Sequence, residues 1–228
     1  MKIFRYGLDA PAFVIGYFLF GIVAIILDVL GYLQGWSFGG IICILFSLWM
    51  AFSSLFGKSI ALDKVLKTNL PQDKLIKSLD IGTGRGLVLA KLARLDNVQI
   101  ATGIDLWSNK DQSSNAKDNT IKNMVLEGLA SKTQIDTGNM LKMPYENETF
   151  NVVTASFSIH NVGKSNVQQV CQEIYRVAAK DSIIIIFDIM YLGKYKQYFK
   201  ALGADILKES LPTPLTFPCA RTLVIKKV

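Results

Sequence analysis

One histidine and three cysteines in 228 residues leave little with which to build a metal centre or a disulfide framework. Cys43, Cys171 and Cys219 are scattered, odd in number and without ligand spacing, so neither is expected. They read as small apolar side chains or free thiols of a reducing compartment. No repeat or low-complexity segment stands out. Charge is scarce at the front: up to Gly57 there are two basic and two acidic residues, so the whole net charge of +7 belongs to residues 58 to 228. No basic run is interleaved with aromatics, which argues against a nucleic-acid partner.

What the front of the chain has instead is hydrocarbon. Phe13 to Leu27 is uncharged, is interrupted by Asp28 and resumes from Val29 to Leu33, and Trp36 to Phe56 is a second run of 21 residues without charge. A helix needs about 20 apolar residues to cross a bilayer. Residues 1–57 are therefore expected to form a transmembrane helical hairpin, with spans at about 11–33 and 36–56 and a turn at Gln34-Gly35. Two other readings exist, a signal peptide and a hairpin buried in a soluble core. The first lacks a small-residue cleavage site and is followed by a second span. Tyr17, Tyr32, Trp36 and Trp49 lie partly where interfacial anchors belong, which favours lipid over a soluble core. Lys2 and Arg5 precede the first span, Lys58, Lys64 and Lys67 follow the second, and the turn has no basic residue. Both termini are expected to be cytoplasmic, on the inner or plasma membrane if the source is bacterial. A basic remainder is drawn to anionic headgroups by about 1 kcal/mol per side chain near the surface. Gly16 and Gly21 lack the four-residue spacing of a tight helix crossing, so an oligomer through the hairpin stays open.

Further on, Leu79-Asp80-Ile81-Gly82-Thr83-Gly84-Arg85-Gly86 reads as a strand end entering a glycine loop, answered by Asp105 at the end of a second strand. Glycines let the backbone turn sharply beside a ligand, and a carboxylate about 20 residues beyond such a loop can accept from both ribose hydroxyls. A dinucleotide fingerprint would place its third glycine at Leu87, one residue later than Gly86. Asp80 would repel a pyrophosphate and attract the ammonium of S-adenosylmethionine, which favours the sulfonium cofactor, and the alternative for it, a structural carboxylate that caps loop amides, is compatible with that role.

On these residues, 70 to 228 resemble a class I S-adenosylmethionine-dependent methyltransferase, closest to the quinone-biosynthesis C-methyltransferase type. The resemblance extends through Gly138-Asn139-Met140, Pro144-Tyr145 and Phe150-Asn151-Val152-Val153. It implies a cofactor site of Asp80, Gly82, Thr83, Gly84, Gly86, Asp105, Leu106, Trp107, Asn139, Met140 and Ser156, with S-adenosylhomocysteine as product. Leu106 and Trp107 would face the adenine. Asn139 stands where the family has an adenine-binding aspartate, and its amide oxygen can still accept. Ala179-Lys180-Asp181 lacks the family's proline and paired glycines before strand five.

Strand and helix patterns alternate from residue 71, with strands near 76–81, 98–104, 133–137, 151–157, 182–189, 205–209 and 221–226 and helices near 86–95, 115–129, 165–179 and 194–202. The expected fold is α/β, a Rossmann-like doubly wound sheet, which the resemblance makes seven-stranded with an antiparallel last strand. It is preceded by the hairpin and by an amphipathic linker over 58–70, with Ile60, Leu62, Val65 and Leu66 on one face. His160, in Ser156-Phe157-Ser158-Ile159-His160-Asn161, is the candidate general base, because imidazole titrates near neutrality. A merely packed histidine is the alternative. Asp188 and Tyr191 follow strand five and can line an acceptor site. A sulfonium is already an activated methyl donor, so alignment in a dry pocket suffices and no metal is required. The expected acceptor is small and hydrophobic or lipid-borne, with membrane lipids as partners. An NAD enzyme, a macromolecule methyltransferase and a non-catalytic cofactor-binding membrane subunit or sensor are the alternatives.

Overall fold

The computed structural model describes residues 5 to 107 and 116 to 228, so Lys2, one of the charges used to orient the first span, lies outside the described residues. The chain divides into two compact units. One comprises residues up to Ile60 together with Leu215–Phe217, and the other Ala61–Pro214 with Pro218–Val228.

In the first unit, α1 (Pro11–Val29) and α2 (Trp36–Phe52) form an antiparallel pair. Pro11 opens α1, where its missing N–H costs nothing. The aspartate in the apolar run has a structural reason: Asp28 accepts from the amides of Gly35 (2.9 Å) and Ser37 (2.7 Å), so it satisfies donors at the start of α2. The helices meet at one glycine from each. A Cβ at Gly21 would lie 2.6 Å from the Gly40 carbonyl oxygen, and one at Gly40 would lie 2.6 Å from that of Gly21. Ser47 Oγ donates to the Val14 carbonyl at 2.7 Å, and Tyr17 packs edge-on to Phe46. After α2 a π turn, Ser53–Gly57, leads into α3 (Lys58–Asn69). At this turn Ser53 Oγ accepts from the Phe217 amide (2.7 Å), and the Phe217 ring lies edge-on to Phe46 and Trp49. The backbone at Gly57 approaches the Leu215 carbonyl too closely for any side chain. Lys58 and Ser54 both hydrogen-bond Asp9.

The second unit begins within α3, whose buried face is Ala61, Leu62 and Leu66. Ile60 is half-exposed, so the face is rotated from the one expected of Ile60, Leu62, Val65 and Leu66. Asp63 pairs with the enclosed Lys91 at 2.7 Å. The strands are β1 (Ile76–Ile81), β2 (Val98–Asp105), β3 (Thr133–Thr137), β4 (Phe150–Ser156), β5 (Ala178–Asp188), β6 (Asp205–Glu209) and β7 (Arg221–Lys226). They form one sheet of seven in the order β3-β2-β1-β4-β5-β7-β6. Only β7 runs against its neighbours. Helices α4 (Leu87–Ala93), α5 (Lys117–Leu126), α6 (Val167–Val177) and α7 (Leu192–Ala201) complete the doubly wound fold expected from the sequence. Leu79, Ile81, Val153, Ile184 and Ile186 point to one face and pack with Val170, Ile174, Tyr195 and Phe199 of α6 and α7.

α1 and α2 each end four residues before the expected ends of the spans, and a shift of the same size falls at strand five. α6 ends at Val177 and β5 starts at Ala178, four residues earlier than expected, because Asp181 adopts φ 60° and makes a bulge inside the strand. A glycine would ordinarily take that conformation, and Asp is among the few other residues that tolerate it. Strand order reverses between β1 and β4, so the carboxyl ends of these two strands border the crevice where such folds bind ligands.

Candidate active site

The glycine loop leaves β1 with Gly82, Gly84 and Gly86 all at positive φ (68°, 50° and 86°). The amides of Gly82 and Thr83 donate to the Ile104 carbonyl at 2.8 and 3.2 Å, which fixes the loop against β2. From the other side, Thr120 Oγ1 donates to the Gly84 carbonyl (2.5 Å) and Asn123 Nδ2 to that of Arg85 (2.9 Å), both from α5. A Cβ at Gly82 would stand 2.3 Å from that of Ser158, so no larger residue fits between this loop and the end of β4. Thr120, Asn123 and Ser158 carry no motif spacing. Only the fold shows that they shape the loop.

Asp105 ends β2, where its Oδ2 accepts from the Gly84 amide (2.9 Å) and its Oδ1 from the Trp107 amide (2.8 Å). A carboxylate has about four acceptor positions, which suits it to tie a loop and to meet vicinal hydroxyls. Trp107 sits at φ 59° with its Nε1 donating to Thr137 Oγ1 (2.8 Å), which pins the indole across the ends of β2 and β3. Leu106 is exposed beside it. Held carboxylate, flat indole and glycine loop fit a ribosyl adenine.

The other expected contacts differ in kind. Asn139 is exposed, and its Oδ1 accepts from the Leu141 amide at 2.9 Å, so one lone pair of the oxygen expected to meet adenine is already engaged in its own turn. Met140 is half-buried and packs against the core. Ser156, half-buried, closes β4. Asp80 is enclosed, accepting from Thr83 Oγ1 (2.8 Å) and Thr154 Oγ1 (2.9 Å), which makes it the anchor of the loop from within.

Burial pushes the Asp80 carboxyl up to about 7, against the hydrogen bonds from Thr83 and Thr154, and the Asp105 charge raises it further. A folded-state value above the unfolded one means that the protonated form stabilises the fold. This contribution is complete below about pH 4 and is lost as pH rises through about 7. At about 1.4 kcal/mol per unit, the loss over the whole range is on the order of 4 kcal/mol. Asp80→Asn, permanently neutral, is expected to remove most of the fall in stability between pH 5 and pH 8. Urea unfolding of both proteins at the two pH values checks this, and equal slopes for the two would contradict it.

His160 lies in a short turn, Ile159–Val162, directly after β4. Its Nδ1 is 2.5 Å from Asp188 Oδ1, and its amide donates to Asp188 Oδ2 at 3.2 Å. Among the described residues its Nε2 has no hydrogen-bond partner. Asp188 ends β5 and is 1% exposed, so it stands behind the imidazole and does not line an acceptor site. Trp107, Phe157 and Tyr191, after β2, β4 and β5, all have φ between 50° and 62°. Aromatic residues rarely hold this conformation, and their gathering at one sheet edge marks it as a place where backbone strain is retained.

Residues 79–186 match the family model of the methyltransferase domain. A sterol 4-C-methyltransferase, strm-1, of Caenorhabditis elegans is 30% identical over 131 residues, 56% of this chain and 36% of that protein. A demethylmenaquinone methyltransferase of Lactobacillus johnsonii is 32% identical over 94 residues, 35% of this chain and 37% of that protein. The chain thus spans little more than a third of the length of either. Among solved structures, an S-adenosylmethionine-dependent methyltransferase from Aquifex aeolicus superposes with a TM-score of 0.59 at 16% identity, covering 73% of this chain and 89% of that one. The fold is that of class I methyltransferases.

Proposed function

From residues 79–186 as a methyltransferase domain, on a class I fold whose expected cofactor is S-adenosylmethionine, we propose that the chain is a membrane-anchored methyltransferase acting on a small lipophilic or lipid-borne acceptor. The quinone-biosynthesis type is the nearest reading of that acceptor class. The observation that carries the proposal is the exposed hydrocarbon of the hairpin. Phe13, Ile15, Leu19, Phe38 and Leu45 stand on helices long and apolar enough to cross a bilayer, and most of their surface is unburied. Monomeric proteins rarely leave so wide an apolar patch to water, and lipid is the medium that matches it. Relatives acting on a sterol and on demethylmenaquinone support an acceptor of the same solubility.

S-adenosylmethionine brings a methyl group already activated on a sulfonium. Asp105 would take the ribose hydroxyls, Trp107 and Leu106 the adenine, and Gly82, Thr83, Gly84 and Gly86 would let the backbone close on the nucleoside. Asn139, Met140 and Ser156 would border the same pocket, with Asp80 fixing the loop. His160 would accept the proton that the acceptor gives up. Both termini would lie on the cytoplasmic side, where the cofactor is available.

The purified full chain in detergent, given tritiated-methyl S-adenosylmethionine, is expected to label a component of a total membrane lipid extract. Labelling of cytosolic metabolites alone would overturn the lipophilic assignment.

A further inference from the structure

Asp188 is a buried carboxylate that receives an unusual number of donors. Beyond His160 Nδ1 and the His160 amide, the Ile189 amide donates to its Oδ1 at 2.8 Å and the Tyr195 hydroxyl to its Oδ2 at 3.2 Å. Four donors from the β4 turn, the end of β5 and α7 hold it in one orientation. The titratable and charged groups around it are few. Tyr191 caps α7, Cys171 of α6 is near Tyr195, and Arg221 of β7 is opposite Asp188 in register. Burial, with Asp188 adding, pushes the Tyr195 phenol far up, so the phenol remains a donor across the working pH range.

We propose that Asp188 is the positioning residue for proton removal, fixing His160 as the tautomer with its proton on Nδ1 and its lone pair on Nε2, with Tyr195 steadying the carboxylate. This rests on His160 being the base. A neutral imidazole has one donor and one acceptor nitrogen, and a carboxylate at Nδ1 can only accept, so the proton must lie there. In the transfer step the acceptor's X–H bond breaks and its proton passes to Nε2. The acceptor atom X forms the new bond to the methyl carbon, and the carbon–sulfur bond breaks with its electron pair left on sulfur. One positive charge disappears at sulfonium and one appears on imidazolium, so the step balances.

Because His160 is the chain's one histidine, a ¹⁵N-histidine-labelled full chain in detergent micelles gives the tautomer without ambiguity. The expected spectrum of the neutral imidazole has a protonated Nδ1 and an unprotonated Nε2. A proton on Nε2, or the averaged signals of free imidazole, overturns the proposal whether or not any acceptor is methylated. Asp188→Asn supplies the kinetic arm: its amide can donate to Nδ1 and admit the wrong tautomer. Methyl transfer to the lipid extract at saturating cofactor is expected to fall about 10²- to 10⁴-fold, with cofactor affinity within threefold and the ¹⁵N signals of His160 moved toward the other tautomer. Tyr195→Phe is expected to lose about threefold. A near-normal Asp188→Asn rate with unchanged His160 signals overturns the positioning role while leaving the methyltransferase reading intact. If Asp188→Asn does not fold, the spectrum of the wild-type protein decides.

Discussion

His160→Gln is expected to lower methyl transfer about 10²- to 10⁴-fold while leaving S-adenosylmethionine affinity within threefold. Proton transfer by a positioned side chain contributes a factor of this size. Glutamine is the demanding choice, because it can keep a hydrogen bond to Asp188 and fill the same space but cannot accept a proton near neutrality. The backbone amide of position 160 would still donate to Asp188 Oδ2, so the turn after β4 keeps one of its two ties to β5. A changed rate with unchanged cofactor binding is therefore a statement about chemistry. Initial rates with saturating cofactor, beside calorimetric titration, separate the two. A rate within fivefold of wild type would leave His160 as a packing residue and remove the base from the proposed mechanism.

Asp105→Ala carries the other large effect. Hydrogen bonds to a charged group contribute about 1.5–3 kcal/mol each, and two to a ribose amount to several kcal/mol. Since 1.4 kcal/mol is tenfold in affinity, a loss of at least 100-fold in S-adenosylmethionine binding is expected. Part of it is indirect: without the carboxylate, the Gly84 and Trp107 amides lose their acceptor, and loop and indole lose the group that registers them to each other. Asp105→Asn divides these contributions. Its amide oxygen keeps one acceptor while its NH₂ must face a donor, so a smaller loss, of about tenfold, is expected. Calorimetry in detergent, with S-adenosylhomocysteine as second ligand, reads both variants. Affinity for Asp105→Ala within threefold of wild type would mean that the pocket is elsewhere.

Much of this could be read in the chain because the signals are local. Continuous apolar strands such as Ile183 to Phe187, the punctuation of Gly82 to Gly86, and Asp105 a fixed distance beyond are patterns a few residues long. The steric and hydrogen-bonding rules behind them act between near neighbours. The apolar hairpin is legible for the same reason, since bilayer thickness converts directly into a run length. What could not be read depends on residues far apart. Thr154, 74 positions from Asp80, ties that carboxyl to the neighbouring strand. The close approach of Gly21 and Gly40 follows no spacing rule, because one glycine comes from each helix. The rotated face of α3 and the bulge at Asp181 were hidden too. Each is chosen by the neighbours it packs against, not by its own sequence.

The amino-acid order alone determined the class of fold, the two apolar runs and the positions of the glycine loop, Asp105 and His160, because each rests on backbone sterics, hydrophobic periodicity or side-chain chemistry within one segment. Only the tertiary structure decided which polar groups meet. Bringing the ends of β4 and β5 side by side made a solitary histidine and a strand-end aspartate into a pair 2.5 Å apart. A hydrogen bond is directional and effective over only about 3 Å, so no pattern along the chain can announce a partner 28 residues away.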